Sequence, residues 1–173
     1  MPLNTLTLAL ANQIQSPTLT AFSKIIAVAT EPLIILILAI LISITFYLKN
    51  KKSQAILLAS TSIITALVIT ILKNLFRIPR PDSMLIKETG YALPSGHVTF
   101  AIVFFGLLVF LFTKPKHKIA ATITSIFLIL IIAFTRLYLQ VHWLTDILSG
   151  LIIGSIILTT SILIYKKEIF KKR

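Results

Sequence analysis

Apolar residues in this chain do not alternate or recur at short intervals; they run in long blocks. Five blocks, at 33–48, 55–72, 95–113, 119–135 and 143–165, are broken only by scattered Ser, Thr and Gly, with ionisable residues confined to the starts of the third and fifth. A bilayer-crossing helix needs roughly 17–25 predominantly apolar residues, so each block predicts one span. The first is short by itself and is expected to begin further back, near residue 27. Ahead of it, "LNTLTLALANQIQ" and "PTLTAFSKIIAVA" mix apolar and polar residues at helical spacing. That pattern predicts amphipathic helices at the membrane interface, the second being alternatively part of a sixth, short span. The expected fold is an all-α polytopic bundle of five transmembrane helices.

Composition sharpens this. Of 173 residues, 57% are hydrophobic, against 45–50% in soluble domains, which excludes a soluble globule. The length suits one domain over 1–173: an interfacial segment at 1–30, a bundle at 31–165 and a basic tail at 166–173. With no cysteine in the chain, disulfides, thiolate metal sites and cysteine catalysis are excluded. The first cation is Lys24, so no cleavable leader is expected.

The net charge of +12 is read as topology and contact with anionic lipid, not as nucleic-acid binding. Eleven of the 17 Lys and Arg fall in "KNKK" (49–52), "KPKHK" (114–118) and the tail. These segments follow the first, third and fifth spans, so they share one face, which the positive-inside rule makes cytoplasmic. The opposite face receives Lys24, Lys73, Arg77, Arg80, Lys87 and Arg136. Cations placed against the orientation rule call for another explanation.

Three polar segments meet on that outer face: "KNLFRIPRP" (73–81), "PSGH" (94–97) and "TRLYLQVHWLTD" (135–146). Lys73, Arg80 and Arg136 can converge on an anion with several charged oxygens, and the planar arginine fork suits phosphate. Ser95, Gly96 and His97 open a helix whose free N–H groups and positive dipole end favour an anion, with Gly96 allowing close approach. His142 and Asp146, four apart, place a carboxylate against an imidazole and leave the second ring nitrogen free as a nucleophile. His97 supplies the proton for a leaving oxygen. The pattern describes phosphoryl transfer through a phosphohistidine, with cations stabilising charge and neither metal nor cofactor required.

In order and spacing the three segments resemble the motifs of the type-2 phosphatidic-acid phosphatase family, which also contains the vanadium haloperoxidases. The resemblance implies phosphate binding by Lys73, Arg80, Arg136, Ser95 and Gly96, attack by His142, orientation by Asp146 and proton donation by His97. It departs from the family at Thr135, where Ser is usual. The apolar layout is similar to that of small bacterial members. The substrates implied are undecaprenyl diphosphate, phosphatidylglycerophosphate, phosphatidic acid or lipid A phosphates, with an outward-facing site favouring the first. Transfer to a second lipid would use the same residues.

Other readings were weighed beside this one. A non-catalytic anion channel or lipid-binding scaffold would carry polar residues along its spans, whereas here charge is confined to one end. Arg77 and the Lys87–Glu88 pair are expected in solvated loops, Trp143 as an interface anchor and His117 in solvent. Gly150 and Gly154 are expected at a close helix contact inside the bundle, with a weak dimer as the lesser use beside a monomer.

Overall fold

The computed structural model describes residues 2–171, and among these every regular element is helical. In chain order they are α1 (Pro2–Gln13), α2 (Pro17–Ala29), α3 (Pro32–Leu48), α4 (Lys52–Phe76), α5 (Gly96–Phe112), α6 (Lys118–Tyr138) and α7 (Leu144–Lys171), with a 3-10 turn at Pro115–His117. The boundaries follow local chemistry. Ser16 caps α2, its hydroxyl accepting from the Leu19 N–H at 3.3 Å, and Pro17 supplies a preset first turn. Arg77 ends α4 in a left-handed conformation, φ 50°, two residues before Pro79 removes a donor.

Three segments are long and apolar enough to cross a membrane: α4, Pro115–Tyr138 and Leu144–Ile169. α2 and α3, bent by 43° where they join, qualify together as a fourth. α5 has 17 residues and falls below that length. It is nevertheless the centre of the bundle, packing against α3, α4, α6 and α7, with every residue from Gly96 to Phe104 buried. One core cluster joins Ile35, Leu58, Ile69, Phe100, Val103 and Leu107; a second joins Val98, Ile102, Ile132 and Ile147. The outer faces keep Leu41, Leu67, Ile119 and Ile152 exposed, as lipid-facing helices do.

Lipid is as apolar as leucine, so the helices are held by close fit more than by water exclusion. Small residues set that fit. A Cβ on Gly150 would lie 3.1 Å from the Ser95 carbonyl, one on Gly154 3.0 Å from the Thr99 carbonyl, and one on Gly106 2.2 Å from Leu158. Gly150 and Gly154 thus seat α7 on α5.

α1 and α2 are hydrogen-bonded to the bundle. Asn4 pairs with Thr145 and Asn12 with Gln140, while Tyr138 Oη bonds Ser16 and Thr20, the latter at 2.8 Å. Gln140, at φ 55°, turns the chain between α6 and α7 beneath them. Leu3, Leu6 and Leu10 form an exposed stripe on the other side of α1, continued by Ile14 just after it.

Candidate active site

At one pole of the bundle the bend between α2 and α3, the end of α4 with the loop that follows, the start of α5 and the connection before α7 surround a cavity of about 210 Å³. It is lined by Glu31, Pro32, Lys73, Arg80, Glu88, Thr89, Gly96, His97 and His142. The three polar segments of the sequence therefore do converge, although they span more than seventy residues.

His142 lies in the short connection before α7 and is 2% exposed. Its Nδ1 is 3.3 Å from Asp146 Oδ2, and its Nε2 is 3.4 Å from Arg80 Nη1. A guanidinium can only donate, so Nε2 is the acceptor and Nδ1 carries the hydrogen. The ring's accepting lone pair is thus on Nε2. Burial first, then the charges of Arg80, Arg136 and Lys73, hold the His142 pKa well below that of an ordinary imidazole. The ring is neutral at physiological pH. Asp146 serves two purposes: Oδ2 also accepts the Trp143 N–H at 2.8 Å, closing the first turn of α7 as a capping residue does.

The cations are each held by the loop between α4 and α5. Lys73 Nζ donates to the Tyr91 carbonyl. Arg80 donates to the carbonyls of Val141 at 2.7 Å, Gly90 at 3.2 Å and Thr89 at 3.2 Å. Gly90 adopts φ +71°, a conformation that other residues take only with strain. Partial burial lowers the Arg80 pKa from its ordinary value, but an arginine stays charged. Arg136 is wholly buried.

Glu88 was expected in solvent, and its position corrects that expectation. Its carboxylate pairs with Arg136 and sits 3.6 Å from Arg80 Nη2. Two buried cations draw a nearby anion in, which outweighs the loop's general exposure. Trp143 also departs from a simple interface anchor, its indole N–H donating to the Pro79 carbonyl at 2.8 Å. Arg77 is exposed, its guanidinium donating to the Asn74 carbonyl of the preceding helix at 3.1 Å. Thr135 is buried with its hydroxyl on the Ile132 carbonyl at 2.8 Å, so the added methyl is accommodated within α6.

Ser95 stands at the cap position of α5, yet its hydroxyl caps nothing and is a buried group without a partner; its N–H donates to the Asp146 carbonyl at 3.0 Å. Arg136 Nε and Nη1 are also buried and unpaired. These donors lie in the motifs that sequence placed around an anion. Gly96 has a packing role as well: a Cβ there would lie 3.2 Å from Pro32 Cγ. Sequence reading missed Glu31, whose Oε2 is 3.4 Å from His97 Nε2. The signal that pointed to it was Pro32, which breaks the apolar run directly after an acid.

The family profile described as "PAP2 superfamily" matches residues 54–170, a range holding all three motifs. Phosphatidylglycerophosphatase B of Bacillus subtilis is 30% identical over 129 residues, 71% of this chain and 61% of that protein. Undecaprenyl-diphosphatase of Sulfolobus acidocaldarius is 35% identical over 86 residues, 50% of this chain and 39% of that protein. The chain thus spans less than two thirds of the length of these curated relatives. Among solved structures, a transmembrane PAP2-type phosphatidylglycerolphosphate phosphatase from Bacillus subtilis superposes with a TM-score of 0.88. It has 23% identity, over 95% of this chain and 85% of that one. Aquifex aeolicus LpxE gives 0.70 at 23% identity, over 92% and 94%. These two likenesses speak for the fold. With the profile covering most of the chain and every motif residue gathered at one pole of that fold, this protein belongs to the PAP2 superfamily.

Proposed function

We propose that this chain is a membrane lipid phosphatase of one domain that hydrolyses a phosphomonoester or diphosphate on a lipid through a phosphohistidine on His142. The observation that carries the reading is the Nε2 lone pair of His142, fixed by Asp146 and Arg80, at the wall of a cationic cavity. Lys73, Arg80, Arg136, Ser95 and the Gly96 amide hold the phosphate. His142 Nε2 forms a bond to phosphorus as the bond to the lipid oxygen breaks, and His97 gives that oxygen a proton. Water then attacks phosphorus, His97 takes a proton from it, and the P–N electron pair returns to His142 with release of phosphate. Cations carry the charge stabilisation in this scheme, so no metal is invoked.

The preferred substrate is undecaprenyl diphosphate. The name of the Sulfolobus relative supports it, as does the excess of Lys and Arg on the pole opposite the site, which favours a site facing the outside of a bacterial inner membrane. Five spans follow if α3 crosses alone and α5, sheathed by its neighbours, crosses despite its length. The exposed apolar stripe of α1 suits the interface. The test is phosphate release in detergent with EDTA, comparing undecaprenyl diphosphate, phosphatidylglycerophosphate and phosphatidic acid. Wild type is expected to turn over one of them well, with the other two slower, and His142→Ala to lose at least about a thousandfold. Equal rates for the two proteins, or activity that vanishes with EDTA and returns with a metal, would overturn the mechanism.

A further inference from the structure

We propose that Glu31 is a positioning residue for His97, forming with it a second carboxylate–imidazole pair that mirrors Asp146 and His142 across the cavity. The inference rests on the phosphatase reading above and extends it to a segment that lies outside the three motifs and outside residues 54–170.

His97 is buried, and its Nε2 has two acceptors. The Ala27 carbonyl is 3.1 Å away and Glu31 Oε2 3.4 Å away. A carbonyl can only accept, so Nε2 carries the hydrogen, and the carboxylate lies beside the same N–H. This is the proton the mechanism sends to the leaving oxygen. Glu31 itself is half exposed and lines the cavity, so it reaches the ring from the substrate's side.

The local chain is built to hold the acid there. The Thr30 N–H returns to the Ile26 carbonyl at 3.0 Å and the Glu31 N–H to the Val28 carbonyl at 3.2 Å, while the Glu31 carbonyl accepts the first bond of α3 from Ile35 at 3.0 Å. Both backbone groups of Glu31 are therefore committed. Pro32 then bears on Gly96, the residue before His97. α2, which supplies the Ala27 carbonyl, is tied to α6 through Tyr138. The bend between α2 and α3 is thus fixed against the turn that carries the histidine.

The neighbouring charges leave this task to Glu31. Lys73 of α4, Arg80 of the following loop, Arg136 of α6 and His142 add positive or neutral groups around the cavity. The acids among them are engaged elsewhere, Glu88 by Arg80 and Arg136 and Asp146 by His142 and Trp143. Glu31 aims the N–H toward the leaving oxygen and holds the ring in the same place while water gives up a proton.

Leaving-group dependence separates this role from a merely structural one. Protonation matters greatly for an alkoxide and little for a stabilised phenolate. Glu31→Gln is expected to lower kcat on dioctanoyl phosphatidic acid at least about tenfold, part of the roughly 10²–10⁴ that general acid catalysis supplies in full. On p-nitrophenyl phosphate the loss should stay within about threefold, and Glu31→Asp should recover much of the alkyl rate. In a His97→Gln background Glu31→Gln should cost nothing further. Equal loss on both substrates, no loss on either, or additive loss in the double variant overturns the inference. A wild type indistinguishable from His142→Ala on both substrates and on undecaprenyl diphosphate fails the phosphatase reading instead, so the two failures are told apart.

Discussion

Arg136 is fully buried at the end of α6, and Glu88 is the anion set against it. Removing one partner of a fully buried pair costs about 3–5 kcal/mol, and less here because Glu88 keeps contact with water. Glu88→Gln is accordingly expected to lower Tm in phosphate-free buffer. Inorganic phosphate, bound by the same two arginines, should then raise Tm more in the variant than in wild type. Thermal unfolding in detergent with and without phosphate checks this; a phosphate response equal in both proteins would show that the carboxylate and the phosphate do not share the arginines. The residues whose partners lie within one motif, such as His142 and Asp146, were legible from spacing. Glu31 and Glu88 were not, because Glu31 lies 66 positions before His97 and Glu88 48 positions before Arg136. Only the folded bundle makes those distances short.

The elements themselves were largely written in the apolar blocks. α3 to α7 cover the five stretches expected, with α4, α6 and α7 extending beyond them at their site-bearing or tail ends. The block pattern did not disclose that the short helix, α5, would be the central one, since burial among helices and burial in lipid select the same residues. The bend at Thr30–Glu31 left one mark, Pro32 directly after an acid, and the apolar neighbours on both sides masked it. What the pattern did disclose was the pair Gly150 and Gly154, four apart on α7. These glycines seat α7 on α5, and the Ser95 N–H that opens α5 also bonds the Asp146 carbonyl of α7. Gly154→Leu would drive a side chain into the Thr99 backbone, whose carbonyl oxygen would lie 3.0 Å from a Cβ at that position. Overpacking of this kind costs about 1–3 kcal/mol. The expected result is a lower Tm together with a loss of kcat, although Gly154 is two helical turns from Asp146. Ser155→Leu, a neighbour on the same helix, serves as the comparison for bulk alone. Unchanged kcat in Gly154→Leu would mean that the glycine contact does not set the position of α7.

At the scale of the whole molecule, the helix ends sort by chemistry. One pole carries Lys73, Arg80, His97, Arg136 and His142; the other carries Lys49, Lys51, Lys52, Lys114, Lys116 and Lys118, all of these outside any described ion pair. The first set is spent on one another and on loop carbonyls, while the second is free to meet anionic head groups, which is how topology is recorded in cations. That asymmetry makes orientation an experimental matter for two exposed residues. The chain has no cysteine, so Lys87→Cys in the loop between α4 and α5 and Lys116→Cys in the turn before α6 each introduce a single thiol. In intact cells an impermeant maleimide is expected to label position 87 and spare position 116 until the membrane is opened. A site on the outer face would then meet lipid phosphates presented there, and the choice of undecaprenyl diphosphate gains its physical basis. The reverse labelling would put the cavity on the cytoplasmic face. The six cations of the site pole would then obey the orientation rule, the eleven others would violate it, and a phospholipid phosphate made in the cytoplasm would become the substrate to test.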